Sequence, residues 1–473
     1  IPVPVEIVFS EPVKDFSLGA FTDGNFTLSN LRQLDPGKRW SFDISPIATG
    51  PVSVVLPTGA VTDLAANPTA NEAELSFYYD SDKPLATLKT TPADIAHTNA
   101  AVPMTLSFDK PVEGFDINDL TIVNGTASGL ASNPARPDEE WSFLVTPSGQ
   151  GEVTIDLAAG KVVDVAGNFN TAANHVSFIY DSIAPTVAFS TNSTSPTSDN
   201  PIKVIIEFSE TITGFDIGDV TVANGSAGNL SLIETDKKWS IDVTPPPQGE
   251  ITVSMAAGAV ADAAGNPNVV ASPLALTCDS VRPSVVSLTT TDTNNPTSNS
   301  PIPVTIEFSE AVNNFQLAHL SITNGTAGNL QVGMVNNSYT FDVTPQTNGV
   351  VIVGLPENRV ADAAGNYNLA APFPLSKTYD SVQPTAILTT TAGTNVNAMP
   401  IEITIEFNKD IVDFDLSDLT ISNGTPGSLI NVTPFRKWTF SVNTTTQGVV
   451  TVYLAARNSS LINTSTGRPL PEA

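Results

Sequence analysis

The chain has 473 residues and a formal net charge of −28 at pH 7, from 48 Asp+Glu against 20 Lys+Arg, although only 14% of its residues are charged. Its length allows about three domains of 150 residues, or more if the units are small sandwiches. The acidic surplus excludes a phosphate-neutralising nucleic-acid surface and an anionic membrane as partners, and no apolar run reaches the roughly 18 residues that span a bilayer.

Taken in chain order, the first element is the alternating Val5-Glu-Ile-Val-Phe9, followed by Ser10-Glu11. It returns as Met104–Phe108, Val204–Phe208, Val304–Phe308 and Ile403–Phe407, so that Phe9, Phe108, Phe208, Phe308 and Phe407 stand 99 or 100 residues apart. Trp40, Trp141, Trp239, Tyr339 and Trp438 keep the same period. So do Asn-Gly at 124, 224, 324 and 423 and Asp-Ser at 80, 181, 279 and 380. Self-similarity at a fixed period defines the architecture before any single element does. The chain divides into five copies, at 1–81, 82–182, 183–280, 281–381 and 382–473.

Within a copy the hydrophobic period is two, as half-buried strands require. In the fourth copy it predicts strands at 284–290, 302–309, 319–324, 328–336, 338–344, 349–356 and 374–380. Seven short antiparallel strands in such a span form a sandwich of the immunoglobulin-like class, here without a disulfide, because Cys278 is the one cysteine. No segment has a helical period. The prediction is an all-β chain of five tandem immunoglobulin-like antiparallel β-sandwich domains in a rod, joined by short linkers such as Asp181-Ser-Ile-Ala-Pro185. The strand tryptophans are read as core aromatics rather than sugar-stacking platforms.

The combination of Phe308-Ser-Glu with Phe315, Asn324-Gly-Thr, the strand from Tyr339 to Pro345, Asp362-Ala-Ala-Gly-Asn366 and Tyr379-Asp-Ser with Pro384 resembles the bacterial immunoglobulin-like repeats of large surface and adhesin proteins. The resemblance covers all five copies. It implies an extracellular or cell-surface protein built of spacer, stalk or binding modules.

Both ends are out of register with the repeat. Ile1 aligns with about position 300 and Ala473 with about position 374, so the first copy is expected to lack its first strand and the last copy its last strand. Two readings follow: a window on a longer chain, or head-to-tail self-association in which a strand from one subunit completes its neighbour.

Acidic residues gather where the copies meet. The sandwich topology brings the linker Asp, the end of the second strand and the Asp-x-Ala-Gly-Asn loop to one pole, where oxygen ligands suited to calcium converge. The sets are Asp181, Glu210, Asp262 and Asn266 at the second junction, and Asp279, Glu310, Asp362 and Asn366 at the third. At the first, Asp80 meets Asp164 and Asn168, but Lys110 stands in the Glu position beside Asp109. At the fourth, Asp380 meets Lys409 and the loop becomes Asn458-Ser-Ser-Leu-Ile-Asn463. Calcium binding is expected to be graded or absent at those two. The alternative is that these residues close Asx-type turns in which Gly167, Gly265 and Gly365 supply positive φ.

Twelve Asn-x-Ser/Thr sequons occur, at Asn25, Asn124, Asn192, Asn224, Asn229, Asn324, Asn336, Asn423, Asn431, Asn443, Asn458 and Asn463. The Asn-Gly set reads as tight turns whose tips could carry glycans, and is the first place to look if the chain follows an N-glycosylating route. His97, His175 and His319 have no metal or triad spacing, and the recurring pairs Asp116 and Asp119, Asp216 and Asp219, and Asp415 and Asp418 lack a nucleophile. No enzymatic function is predicted. The expected role is an extracellular structural protein, a surface stalk or fibre subunit, with an array of carbohydrate- or matrix-binding adhesin modules as the alternative.

Overall fold

The computed structural model describes residues 1–335, 337–412 and 414–454, together with the backbone of the short strand Ile462–Asn463. The sequons at Asn336 and Asn458, the side chain of Asn463 and the rest of the 458–463 loop lie outside the described residues.

The second unit shows how the alternating pattern becomes a sandwich. Val102–Phe108 pairs on one edge with Ala86–Thr90 and on the other with Glu140–Pro147, which in turn pairs with Gly125–Ser132. The facing sheet runs Leu120–Val123, Gly151–Leu157, Val176–Tyr180 and the two-residue His97–Thr98. All these pairings are antiparallel except the last, where the end of the unit's first segment runs parallel to its last strand. Alternate residues point inward, so Met104, Leu106, Phe108, Phe143, Val145, Val153 and Ile155 form one core. Each such side chain, fully buried, stabilises by roughly 1.5–3 kcal/mol. The third and fourth units repeat this plan with their own closed cores.

The fourth unit places strands at Val285–Thr290, Ile302–Phe308, Ser321–Thr323, Gly325–Val332, Ser338–Pro345, Gly349–Gly354 and Leu375–Tyr379, close to the seven read from the period. The all-β sandwich class is thus what the chain adopts. In the first unit, among the described residues, Val3–Val8 pairs with Arg39–Pro46 alone.

Each unit holds an aromatic trio behind its second strand. Trp141 packs on Phe108 and Phe115 with ring centroids 5.9 and 5.1 Å apart, and Trp239 packs on Phe208 and Phe215 at 5.7 and 4.7 Å. Trp141, Trp239 and Trp438 are buried, and Tyr339 fills the equivalent place half-buried.

The paired carboxylates are helix caps. Asp116 Oδ1 accepts from Asn118 N at 2.8 Å and Asp119 Oδ2 accepts from Asp116 N at 2.9 Å, closing a capping box around the one-turn 3₁₀ helix Ile117–Asp119. His319 takes the Asp119 role in the fourth unit, where its Nδ1 accepts from Gln316 N at 3.1 Å.

The Asn-Gly dipeptides are not hairpin tips. Asn124 has φ of 58° and separates Leu120–Val123 in one sheet from Gly125–Ser132 in the other, so the dipeptide is the corner at which the chain changes sheets. Glycine is required on its far side. A Cβ on Gly225 would meet Thr244 O at 3.0 Å, and one on Gly424 would meet Val442 Cγ1 at 2.6 Å.

Candidate metal centres at the unit junctions

The linkers are pinned in the same way at every junction. The linker Asp accepts from the backbone N–H two residues on, at 2.9 Å for Asp80, Asp181 and Asp380 and 3.1 Å for Asp279. The residue after the second strand then receives a linker N–H: Asp109 from Leu85 at 2.9 Å, Ser209 from Thr186 at 3.0 Å, Ser309 from Ser284 at 3.0 Å and Asn408 from Thr385 at 2.7 Å.

The Asp-x-Ala-Gly-Asn loop of the following unit closes over this linker. Asp262 is buried, and its Oδ1 accepts from Ala264 N at 2.9 Å and Asn266 N at 2.8 Å, the Asx-type turn read from sequence. Asn266 then donates through Nδ2 to Asp262 Oδ2 and to the linker carbonyl of Asp181, both at 2.8 Å. Its Oδ1 accepts from Asn99 of the preceding unit at 3.1 Å, so one carboxamide ties linker and two units together. At the third junction Asn366 Nδ2 bonds Asp362 Oδ2 at 2.9 Å and Asp279 O at 2.8 Å, and Ser198 of the preceding unit donates to Ala364 O at 3.1 Å.

Glu210 joins Asp181 and Asp262, and Glu310 joins Asp279 and Asp362; in each trio one carboxylate oxygen from every member lies within 4.8 Å of the others. Oxygens that share one calcium ion at about 2.4 Å can be no more than roughly 4.8 Å apart, so both trios fit such an ion in donor type and spacing. Three carboxylates supply part of the six to eight oxygens calcium takes, roughly half, leaving room for carbonyls and water. Among the described residues no Lys or Arg forms an ion pair with these six carboxylates. Burial, followed by the charges of Asp181 and Asp262, pushes the Glu210 carboxyl above its ordinary range. Glu310 is raised by burial and by Asp279 and Asp362. Both trios therefore favour a bound proton or cation.

The first junction carries its own cation. Lys110 Nζ lies 2.9 Å from Asp80 Oδ2 and 3.3 Å from Asp164 Oδ2, and donates to Asp82 O at 2.7 Å. Asn168 reproduces the Asn266 bridge, to Asp80 O at 3.0 Å and Asp164 Oδ2 at 3.1 Å. At the fourth junction Lys409 Nζ bonds Asp380 Oδ2 at 2.5 Å and Val382 O at 2.8 Å. The two lysines stand in the sequence position of Glu210 and Glu310, and their ammonium groups meet the linker carboxylates that the trios leave without a countercharge.

The sequons divide by environment. Nδ2 of Asn25, Asn124, Asn224, Asn324 and Asn423 donates to a backbone carbonyl across the corner: Ala48 at 2.6 Å, Gly149 at 2.8 Å, Glu250 at 3.1 Å, Thr347 at 2.8 Å and Thr446 at 3.1 Å. Asn229 bonds Asp242 Oδ2 at 3.0 Å. Asn192, Asn431 and Asn443 are exposed, as are Asn224 and Asn229, whereas Asn25, Asn124, Asn324 and Asn423 are half-buried.

Sequence comparison places the chain in a family. A sequence model of the bacterial Ig-like domain matches residues 2–79, 80–180, 181–277 and 279–375, most of the chain, and the protein belongs to that family. No curated protein matches it at a significant level. Among solved structures, the Escherichia coli adhesin FdeC is 16% identical over 64% of this chain and 100% of its own, with a TM-score of 0.34. Invasin, a bacterial integrin-binding protein, is 11% identical over 82% of each chain, TM-score 0.32. The S-layer protein rSbsC(31-844) is 14% identical over 96% of this chain and 62% of its own, TM-score 0.21. Among the described residues no helix is long and apolar enough to cross a membrane.

Proposed function

We propose that the protein is a non-enzymatic structural component of a cell exterior, an array of Ig-like units forming a surface stalk or the subunit of a fibre. The observation that carries this reading is the repeated pinning of the linker: an Asx turn and an anchor on the end of the second strand at all four junctions. A short, hydrogen-bonded linker holds neighbouring sandwiches in line, which a spacer needs and an active site does not. The paired carboxylates that could have suggested acid–base chemistry serve as caps instead.

Calcium is the cofactor of this reading. Asp181, Glu210 and Asp262 would hold one ion and Asp279, Glu310 and Asp362 a second, stiffening the central joints, while Lys110 serves the first joint without metal. Self-association into a fibre and glycans at exposed sequons belong to the same proposal. Scattering in solution tests the shape: the reading expects an extended particle with calcium, and a compact one contradicts it. Location is tested by labelling intact source cells with an antibody to the chain. Labelling that requires permeabilised cells would overturn it.

A further inference from the structure

Each linker is also held by the residues just before the penultimate strand. In the first four units the residue ahead of that strand's first glycine is Thr49, Gln150, Gln248 or Asn348, followed by Gly50, Gly151, Gly249 or Gly349. Thr49 Oγ1 accepts from Ser81 N at 3.0 Å, and Gln150 Oε1 from Ser182 N at 2.9 Å. In the third unit the carbonyl of Pro247 accepts from Ser280 N at 2.8 Å, and Gln248 donates to Asp279 Oδ1 at 3.2 Å. Asn348 holds its linker with one atom: Oδ1 accepts from both Ser381 N at 2.8 Å and Ser381 Oγ at 2.9 Å.

The fourth unit thereby sets an Asn-Gly pair at a linker anchor, and this pair differs from the other four in the chain, at 124, 224, 324 and 423. Those asparagines have φ between 55° and 58°, and each commits its Nδ2 to a carbonyl across the corner. Asn348 is exposed and lies outside the left-handed region. Its Nδ2 has no acceptor among the described residues.

We propose that Asn348 is a self-modifying site, at which the backbone nitrogen of Gly349 displaces the side-chain amide nitrogen. The Gly349 nitrogen bonds Asn348 Cγ and gives up its proton, while Nδ2 gains a proton and leaves as ammonia, closing a succinimide ring. Water then opens the ring at either carbonyl to leave aspartate or isoaspartate. The net change is hydrolysis of one amide, with water as the co-reactant. The attack places negative charge on Oδ1, the oxygen at which both Ser381 donors are aimed, in the manner of an oxyanion hole. Gly349 carries no Cβ to crowd the approach. Gln150 and Gln248 would have to close a larger ring, and Thr49 has no amide to lose. At the corners, turning the carboxamide toward the next nitrogen breaks bonds at both ends: Asn324 accepts from Thr347 N at 3.0 Å and donates to Thr347 O at 2.8 Å.

The product alters the fourth junction. Isoaspartate inserts the former β-carbon into the main chain and withdraws the oxygen that holds Ser381. The new charge stands where Gln150 and Gln248 reach the linker carboxylates of Asp181 and Asp279, at 3.0 and 3.2 Å. A joint that begins pinned therefore loosens with age. The chemistry rests on neither calcium nor the stalk reading; the loosening alone rests on the linker serving as a joint.

The test follows the full chain through incubation in mildly alkaline buffer, read by peptide mass spectrometry and isoaspartate-specific methylation. Residue 348 should convert first, to a mixture of aspartate and isoaspartate, and at least as fast in the native chain as in urea. Asn124, Asn224, Asn324 and Asn423 should convert only in urea. Ser381→Ala, which removes one donor and keeps the backbone N–H, should slow the native reaction about fivefold, the worth of one hydrogen bond, and leave the rate in urea unchanged. Protection of Asn348 by folding to the extent seen at the corners overturns the inference, and so does a native rate indifferent to Ser381→Ala. Asn348→Gln should abolish both the conversion and an accompanying rise in amide exchange at Ser381 and Val382. Conversion without that rise overturns the loosening, whereas a compact particle in scattering overturns the stalk reading, so the two fail separately.

Discussion

Lys110 and Glu210 occupy the same position in successive units, two residues past Phe108 and Phe208, and carry opposite charges against the same surroundings. Lys110 reaches Asp80 and Asp164 with one ammonium. Glu210 adds a third carboxylate to Asp181 and Asp262. A lysine in this place closes its junction with a covalently attached cation, and a glutamate supplies none.

Exchanging the two should exchange their behaviour. Lys110→Glu leaves Asp164, with a side chain 1% exposed, facing two further carboxylates. Without divalent ions the second unit should lose about 2 kcal/mol, less than for a fully buried pair because Lys110 retains 24% of its exposure. Added calcium should restore the midpoint of thermal unfolding in this variant and leave wild-type unfolding of the same unit unchanged. Loss of midpoint with no response to calcium would show that the ligand geometry does not transfer between junctions.

Much of this was legible in sequence. The period of two placed the strands of the fourth unit, and the charge reversal at Lys110 and Lys409 marked the first and fourth junctions as different. Spatial facts were not legible. The Asn-Gly dipeptide has the composition of a hairpin turn, yet here it steps the chain between sheets, because Asn124 lies between strands of separate sheets rather than partners in one. The pair Asp116 and Asp119 has the composition of an acid–base dyad but recurs as an active site seldom does, and only the backbone geometry reveals a cap. That Lys110 serves as countercharge depends on a linker that arrives from the preceding unit.

The corner glycines should resist substitution. Gly424→Ala drives a Cβ to 2.6 Å from Val442 Cγ1, inside a packed core, and should cost about 1–3 kcal/mol by overpacking. Denaturant unfolding of the fifth unit, followed through Trp438, measures it.

Glycan occupancy should follow exposure rather than the Asn-Gly motif. In an N-glycosylating host, Asn192, Asn431 and Asn443 should be modified more fully than Asn124, Asn324 and Asn423, whose carboxamides already bridge the corner. Glycopeptide mass spectrometry reads the ratio directly, and the opposite ranking would refute the assignment.

The fourth unit buries a lysine where its sisters place Phe77, half-buried, and the buried Phe178 and Leu276. Lys377 Nζ donates to the carbonyls of Asp292 and Asn294, both at 2.6 Å. Burial alone would raise the Asp292 carboxyl, but hydrogen bonds from Thr297, Asn294 and Asn299, with the charge of Lys377, hold it below the ordinary range. A depressed carboxyl contributes stability that is present above its unfolded value, 3.8, and lost as the pH falls through its folded value. Unit four should therefore be acid-sensitive below about pH 4. Lys377→Leu and Asp292→Ser should each destabilise by about 3 kcal/mol, whereas the double variant, which restores the residues of the third unit, should be close to neutral. Additive losses would contradict the coupling.

Calorimetric titration with calcium measures whether the carboxylate trios at the second and third junctions hold the proposed ions. Two ions should bind the wild-type chain and one should be lost with each of Glu210→Gln and Glu310→Gln, in step with the two trios. No binding heat, or a stoichiometry unchanged by both substitutions, would contradict it.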